Sequence, residues 1–159
     1  TSDQSNAMKW LAYMFVYEKD GLLHIGRAIP RAWFGQERPF GATRLSTPAG
    51  IVSIEDRPQP AAGRIEADVE LELCGKPEKV LLRFRHPEKK PIQSVTINGR
   101  ASRAFDANSG DVELAKSIGG KALIAERSGG GQPFSVASSL RVGLGVMVPC
   151  LNGGLAAAR

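Results

Sequence analysis

Alternating carboxylates are the residues whose types and spacing come nearest to a catalytic pattern. In the segment GRIEADVELELC every second position is acidic, namely Glu66, Asp68, Glu70 and Glu72. Residues two apart on a strand share one face, so this spacing predicts a carboxylate row on one side of a sheet. A glycosidase needs two carboxyl groups about 5 to 9.5 Å apart, one with a raised pKa in a cleft. An open strand face supplies no cleft, so a small hydrolase using this row is the least favoured function.

Basic residues on the following segment give the acidic row a structural interpretation. KVLLRFRHP alternates in the same manner, with apolar residues on one face and basic residues on the other. If the two segments form a hairpin, antiparallel counting places Glu70 opposite Arg83 and Asp68 opposite Arg85. Such cross-strand charge pairs contribute roughly 0.2 to 1 kcal/mol each. We therefore expect the row to be a solvated face.

The other polar motifs do not indicate catalysis. His24 and His86 are the two histidines of the chain, and neither lies in a nucleophile motif such as GxSxG. The segment DANSGD, residues 106–111, resembles a calcium loop, but its glycine is at the fifth position and Ser117 stands where the final glutamate belongs. An Asx turn explains it better. The sequence thus predicts no catalytic residue, no metal site and no cofactor.

The segment PRAWFGQERPFG combines flat aromatic rings with polar groups. Ligand grooves combine such apolar faces with a few placed polar groups, which makes this segment a candidate carbohydrate-binding surface. The candidate ligand-binding residues are Arg31, Trp33, Phe34 and Phe40. Packing of the rings within a loop or against another domain is the alternative, because buried aromatic rings dominate core and interface energetics.

Composition and charge narrow the classes of partner. The 159 residues suffice for one domain with its own core, and 42% hydrophobic with 23% charged residues is typical of a soluble protein. The net charge is +5, but basic residues are scattered and Lys89-Lys90 is the single basic doublet. We therefore expect neither a nucleic acid nor a membrane as partner. Cys74 and Cys150 belong to no metal motif and can pair only if the fold brings them together.

The N-terminal segment MKWLAYMFVYE, residues 8–18, predicts a short helix that is apolar on nearly every side and must be buried. One interpretation packs it inside this domain. The other makes it the last helix of a preceding domain, with an interdomain surface of Trp10, Tyr13, Met14 and Tyr17. Residues 1–7, which end in Ser-Asn-Ala before Met8, are expected to be the remnant of an expression tag.

Residues 19–127 predict an all-β fold, an antiparallel β-sandwich behind one short N-terminal helix. Short alternating segments recur between turn signals, and they include LLHIGRAI, RAWFG and GKALIAER. The clearest turn is Asn98-Gly99, because this pair suits the two positive φ angles of a type I′ hairpin. Residues 128–159 are rich in Gly, Ser and Ala and predict a tail, with one added strand or a short helix at 140–151.

Three segments, in this order, carry a resemblance to a known family. They are LHIGRAIPRAWF, the arginine-rich strand that ends in His86-Pro87, and VTINGR followed by Phe105-Asp106. Together they resemble the C-terminal β-sandwich of bacterial glycoside-hydrolase-like proteins, over about residues 10–127. In those proteins the sandwich follows an (α/α) toroid domain, which holds the catalytic acid and base.

The resemblance implies a function without chemistry of its own. It implies a non-catalytic accessory domain that packs on and stabilises a larger carbohydrate-active protein, through the helix at 8–18 and the Trp33 loop. The missing toroid is then the partner, and the location is periplasmic or secreted. A chain separated from its toroid is expected to expose an apolar patch or to self-associate. The alternative function is the carbohydrate-binding module that uses Trp33, Phe34 and Phe40.

Overall fold

The structure is a computed structural model that describes residues 2–75, 77–114 and 134–142, the last range as backbone only. One helix, α1 (Ser2–Phe15), precedes a chain of strands and two short 3-10 helices, Arg31–Gly35 and Pro60–Ala62. The predicted all-β class with one N-terminal helix is confirmed. GKALIAER and Cys150 lie outside the described residues.

Four strands form the smaller sheet, in the order β1-β2-β6-β9. Strands β2 and β6 run parallel, whereas β1 and β9 lie antiparallel to their neighbours. A parallel pair needs a long connection, and here the connection includes three strands of the other sheet. The bounds are β1 (Val16–Lys19), β2 (Leu22–Ile25), β6 (Lys79–Arg83) and β9 (Asp111–Leu114).

Six strands form the larger sheet, in the order β3-β4-β5-β10-β7-β8. Its pairs are antiparallel except around β10, which runs parallel to both β5 and β7. Antiparallel pairing, as predicted, thus describes most of the sheet contacts, with β10 and β2–β6 as the exceptions. The bounds are β3 (Phe40–Thr47), β4 (Gly50–Gln59), β5 (Arg64–Leu73), β7 (Ile92–Ile97), β8 (Arg100–Ser102) and β10 (Phe134–Val142).

The two sheets contribute to one hydrophobic core. Leu23, Val80 and Val112 of the smaller sheet are buried with Val52 and Val69 of the larger one in a single cluster. The alternation seen in the sequence is the cause, because each strand turns one set of side chains inward and the other outward.

The Asn98-Gly99 hairpin is confirmed. Both residues have positive φ, 58° and 72°, and β7 pairs antiparallel with β8 with Ile97 opposite Arg100. The right-handed twist of paired strands favours this turn, and few residue pairs other than Asn-Gly adopt it without strain.

The predicted hairpin between the acidic strand and the arginine-rich strand is wrong. β5 pairs with β4, whereas β6 pairs with β2 and β9 in the other sheet. Asp68 therefore does not face Arg85, nor Glu70 Arg83. Alternation fixes which face of a strand is buried, but it does not select the neighbouring strand.

Two local predictions are also wrong. The helix ends at Phe15, and residues 16–19 form β1, which turns at Asp20-Gly21 into β2. Asp20 and Gly21 both have positive φ, so this turn resembles that at Asn98-Gly99. RAWFG forms a 3-10 helix rather than a strand: the Trp33 N–H donates to the Pro30 carbonyl, and the Gln36 N–H donates to the Trp33 carbonyl.

Candidate functional site

Three of the four carboxylates in the acidic row, Glu66, Asp68 and Glu72, are ion-paired with arginines of the same sheet. Arg57 on β4 donates to Asp68 and, over 2.9 Å, to Glu55, which lie directly opposite each other across the β4–β5 pair. One guanidinium thus offsets a like-charge pair that would otherwise destabilise the sheet. Similar pairs join Arg44 to Glu72 and Arg64 to Glu66, at 3.4 and 3.1 Å. The row is an ion-paired face rather than a cleft.

The aromatic loop residues pack on one another. Phe34 is 1% exposed, and its ring lies edge-on to Phe40, with 5.1 Å between centroids. Trp33 packs against Phe40 at 5.4 Å and near Phe15 of α1 at 6.2 Å. Trp33 and Phe40 are half-buried against the core. The structure thus brings these three candidate ligand-binding residues together, but as a packed cluster with Phe34 inside.

The candidate interdomain residues separate into two groups. Trp10 is 70% exposed and Tyr13 is 57% exposed, whereas Met14 packs against the core. Tyr17 lies on β1, where its ring stacks on His24 with centroids 4.8 Å apart. Two further apolar side chains, Met8 and Leu11, are 68% and 51% exposed. The exposed apolar surface on α1 consists of Met8, Trp10, Leu11 and Tyr13, which we term the α1 surface.

His24 is held neutral inside a group of charged residues. An Arg27 guanidinium N–H lies 3.2 Å from the imidazole Nδ1, and because arginine cannot accept, Nδ1 must be the acceptor. Burial, together with the charge of Arg27, lowers the pKa of His24. Both observations place the ring proton on Nε2 near neutral pH.

Arg83 and Asp111 form a two-point ion pair between β6 and β9. Nε of Arg83 lies 2.6 Å from Oδ1 of Asp111, and the second oxygen also accepts from the guanidinium and from Ser109. Burial opposes ionisation of Asp111, but the Arg83 bonds and charge hold its pKa below the usual value. The Asx turn before it is present as predicted, since Asp106 Oδ1 accepts from the Asn108 and Ser109 N–H groups.

Arg31 and Arg85 lie where the Arg31–Gly35 helix meets the end of β6. A guanidinium N–H of Arg31 donates to the His86 carbonyl over 2.7 Å, and one of Arg85 donates to the Ile29 carbonyl over 3.2 Å. These reciprocal bonds tie the two segments together. Burial, then the charges of Arg31 and Arg83, lower the pKa of Arg85. We term Arg31 and Arg85 the arginine pair.

Asp56 is the most deeply buried carboxyl among the described residues. It is 1% exposed, and neither side-chain oxygen has a hydrogen-bond partner. Burial raises the pKa of Asp56 well above its usual value, which favours the protonated form of the carboxyl group. Asp56 lies on β4, and its cross-strand neighbours are Phe40 on β3 and Ala67 on β5. Neither neighbour indicates a function for the carboxyl group.

Sequence reasoning missed Arg27 and Asp56, and it assigned Arg85 the wrong partner, Asp68. The signal for Asp56 was present, since it shares the strand face of Val52 and Ile54, where a charged residue is unexpected. No signal could have paired Arg85 with Arg31, because their contact depends on the placement of a 3-10 helix against the end of a strand.

Metal-binding clusters and membrane-spanning helices were sought in the described residues. Within them, no group of three or more His, Cys, Asp or Glu side chains could hold a metal ion. No helix in these ranges is long and apolar enough to cross a membrane. Comparisons with family models, with curated proteins and with solved structures find no match.

Proposed function

We propose that this chain is a non-catalytic accessory β domain that packs through the α1 surface on a larger carbohydrate-active protein. The observation that carries the proposal is the exposure of four large apolar side chains on one helix: Met8, Trp10, Leu11 and Tyr13. Apolar patches of this kind on a soluble protein indicate a missing partner.

The helix projects from the body of the domain. Every residue from 3 to 11 is exposed, and burial begins only at Ala12, with Phe15 the first fully buried residue. An isolated helix shorter than about 12 to 15 residues is marginal in water even with good helix formers. Because the domain covers only its last turn, α1 needs a second surface to be stably helical.

The distribution of the apolar residues favours an enclosing partner over a flat one. Met8 and Leu11 are neighbours three residues apart, as are Trp10 and Tyr13. At about 100° per residue, these two pairs lie on opposite sides of the helix. A partner must therefore contact α1 from two sides, as other helices do when they surround it.

The link to carbohydrate-active proteins is supported by the resemblance of residues 10–127 to sandwiches that follow an (α/α) toroid. The toroid would supply the enclosing helices, with α1 as the last of them.

The proposal is tested by measuring association of the isolated chain by analytical ultracentrifugation over a wide concentration range. We expect weak, concentration-dependent association that the double variant Trp10→Lys, Tyr13→Lys abolishes without lowering the melting temperature. The matched control introduces two lysines elsewhere, as Ala101→Lys and Ala104→Lys, because both alanines are exposed.

Two results would overturn the proposal. One is a strictly monomeric chain in which the amide groups of residues 3–11 are strongly protected from hydrogen exchange, because the helix would then be packed on its own domain. The other is a discrete, tight dimer lost in the double variant, which would assign the α1 surface to a second copy of this chain.

A further inference from the structure

We infer that the arginine pair, Arg31 and Arg85, is the centre of a binding site for an oxyanion, a carboxylate or phosphate group carried by a ligand. This site is distinct from the α1 surface and does not depend on the proposed function.

Half-buried arginines elsewhere in the described residues have a carboxylate partner. Arg57 is paired with Asp68, Arg64 with Glu66, and Arg83 with Asp111. The exposed arginines need no partner, because water solvates them. Only Arg31 and Arg85, among the half-buried arginines of these ranges, have no carboxylate within ion-pair distance.

The backbone bonds orient both guanidinium groups without neutralising them. Arg31 uses one terminal nitrogen for the His86 carbonyl, and Arg85 uses one for the Ile29 carbonyl. A guanidinium has five N–H donors in a fixed planar fork, so most of the donors on each side chain are left for a ligand. Fixed guanidinium forks are the usual protein partners of carboxylate and phosphate oxygens.

The surrounding charges leave the arginine pair uncompensated. Arg83 also acts on Arg85, but its own charge is balanced by Asp111. Lys90 acts on His86, and Lys90 is balanced by Glu88 at 2.7 Å. The Nδ1 of His86 accepts from the Glu88 N–H, which keeps that nitrogen unprotonated. The charges of Arg83 and Lys90 are therefore balanced within their own ion pairs. A bound anion would offset the repulsion between Arg31 and Arg85.

An aromatic side chain lies close in the chain to the arginine pair. Arg31 begins the 3-10 helix that also carries Trp33, and Gly35 of that helix packs near Pro87. Because Trp33 is only half-buried, an apolar edge lies two residues from the anion site. A ligand with a charged group and a small apolar or sugar-like body fits this combination, since binding sites commonly pair one charged anchor with apolar walls.

The test is a titration of the intact chain, followed by tryptophan fluorescence and by NMR of the arginine side chains. The probes are inorganic phosphate and glucuronate, with glucose as the uncharged match for glucuronate, all at constant ionic strength. We expect saturable binding of at least one oxyanion and none of glucose. Arg85→Gln and Arg31→Gln should each weaken binding about tenfold or more, as expected for loss of a charged hydrogen bond.

Control variants distinguish anion binding at the arginine pair from nonspecific attraction of anions to a positively charged protein. Arg100→Gln removes an exposed arginine and should leave affinity unchanged. Arg31→Lys keeps the charge and loses the fork, so it should bind more weakly than the natural chain even if Arg31→Gln fails to fold. Binding of phosphate alone or glucuronate alone assigns the site to that group. Absence of saturable binding, or an equal loss of affinity in Arg100→Gln, would overturn the inference.

Discussion

Asp56 shows how a single residue makes the stability of this fold depend on pH. Its carboxyl group is 1% exposed and has no hydrogen-bond partner, so burial raises its pKa well above the usual value. The native state then retains a proton that the unfolded chain releases at a pH of about 4. The group therefore destabilises the fold increasingly as pH rises from that value toward the raised pKa, by at most about 1.4 kcal/mol per pH unit.

We predict that Asp56→Asn, which cannot ionise, removes this pH dependence. The free energy of unfolding of the variant, relative to the natural chain, should rise as the pH increases above about 4. Urea denaturation at several pH values measures this difference. The matched control is Glu70→Gln on the neighbouring strand, because Glu70 is exposed and its replacement should give no such trend. A flat difference for Asp56→Asn would show that the native carboxyl group is not protonated.

At the residue scale, the sequence shows burial better than it shows contact. The position of Asp56 on an apolar strand face follows from alternation with Val52 and Ile54. The ion-pair partner of Arg83 does not follow from alternation. Its partner Asp111 lies on another strand, and 27 residues separate the two strands in the chain. Alternation locates a side chain on a face, but its neighbour on that face depends on the order of strands, which local spacing does not encode.

At the element scale, the aromatic residues of the 3-10 helix Arg31–Gly35 contribute mainly to packing. Its rings form edge-on contacts with Phe40 at 5.1 and 5.4 Å, and Phe34 is fully buried. Aromatic pairs of this geometry add about 0.5 to 1.5 kcal/mol beyond area burial. The element thus anchors β3 and α1 to the core through Phe34 and the inner face of Trp33.

We predict that Trp33→Ala lowers the free energy of unfolding by about 2 to 4 kcal/mol, as loss of a packed aromatic side chain does. Trp10→Ala is the matched control, because it removes the same ring from an exposed position and should change stability by less than about 0.5 kcal/mol. Chemical denaturation of both variants measures the difference. Equal stability of the two, with loss of glycan binding only in Trp33→Ala, would instead support the carbohydrate-binding module.

Turns with residue-specific backbone needs were the elements that the sequence predicted best. Asn98-Gly99 gives its hairpin because few other pairs tolerate two positive φ angles. RAWFG was predicted as a strand and is a 3-10 helix, since its apolar residues fit either structure and the preceding Pro30 favours a turn. The end of α1 was placed three residues too late, because an apolar run from Tyr13 to Tyr17 conceals the change from helix to strand.

At the scale of the whole molecule, β10 connects the two parts of the larger sheet. It pairs parallel with β5 from Arg64 to Leu71 and with β7 from Ile92 to Ile97. The sequence allows one added strand in residues 128–159, but it does not predict that this strand lies between β5 and β7, because these partners are far away in the chain. Without β10, the described strands would leave β5 and β7 as unpaired edges.

We therefore predict that a chain ending at Arg127 is much less stable than one ending at Val142. Both lack Cys150, so their comparison isolates the contribution of β10 from that of the cysteine. Loss of a central strand removes two ladders of hydrogen bonds and exposes two edges, and the melting temperature should fall by more than about 10 °C. Thermal unfolding followed by circular dichroism, together with light scattering for aggregation through the exposed edges, measures this effect. If the two chains melt at the same temperature, the larger sheet does not need β10, and residues 19–127 form a domain by themselves.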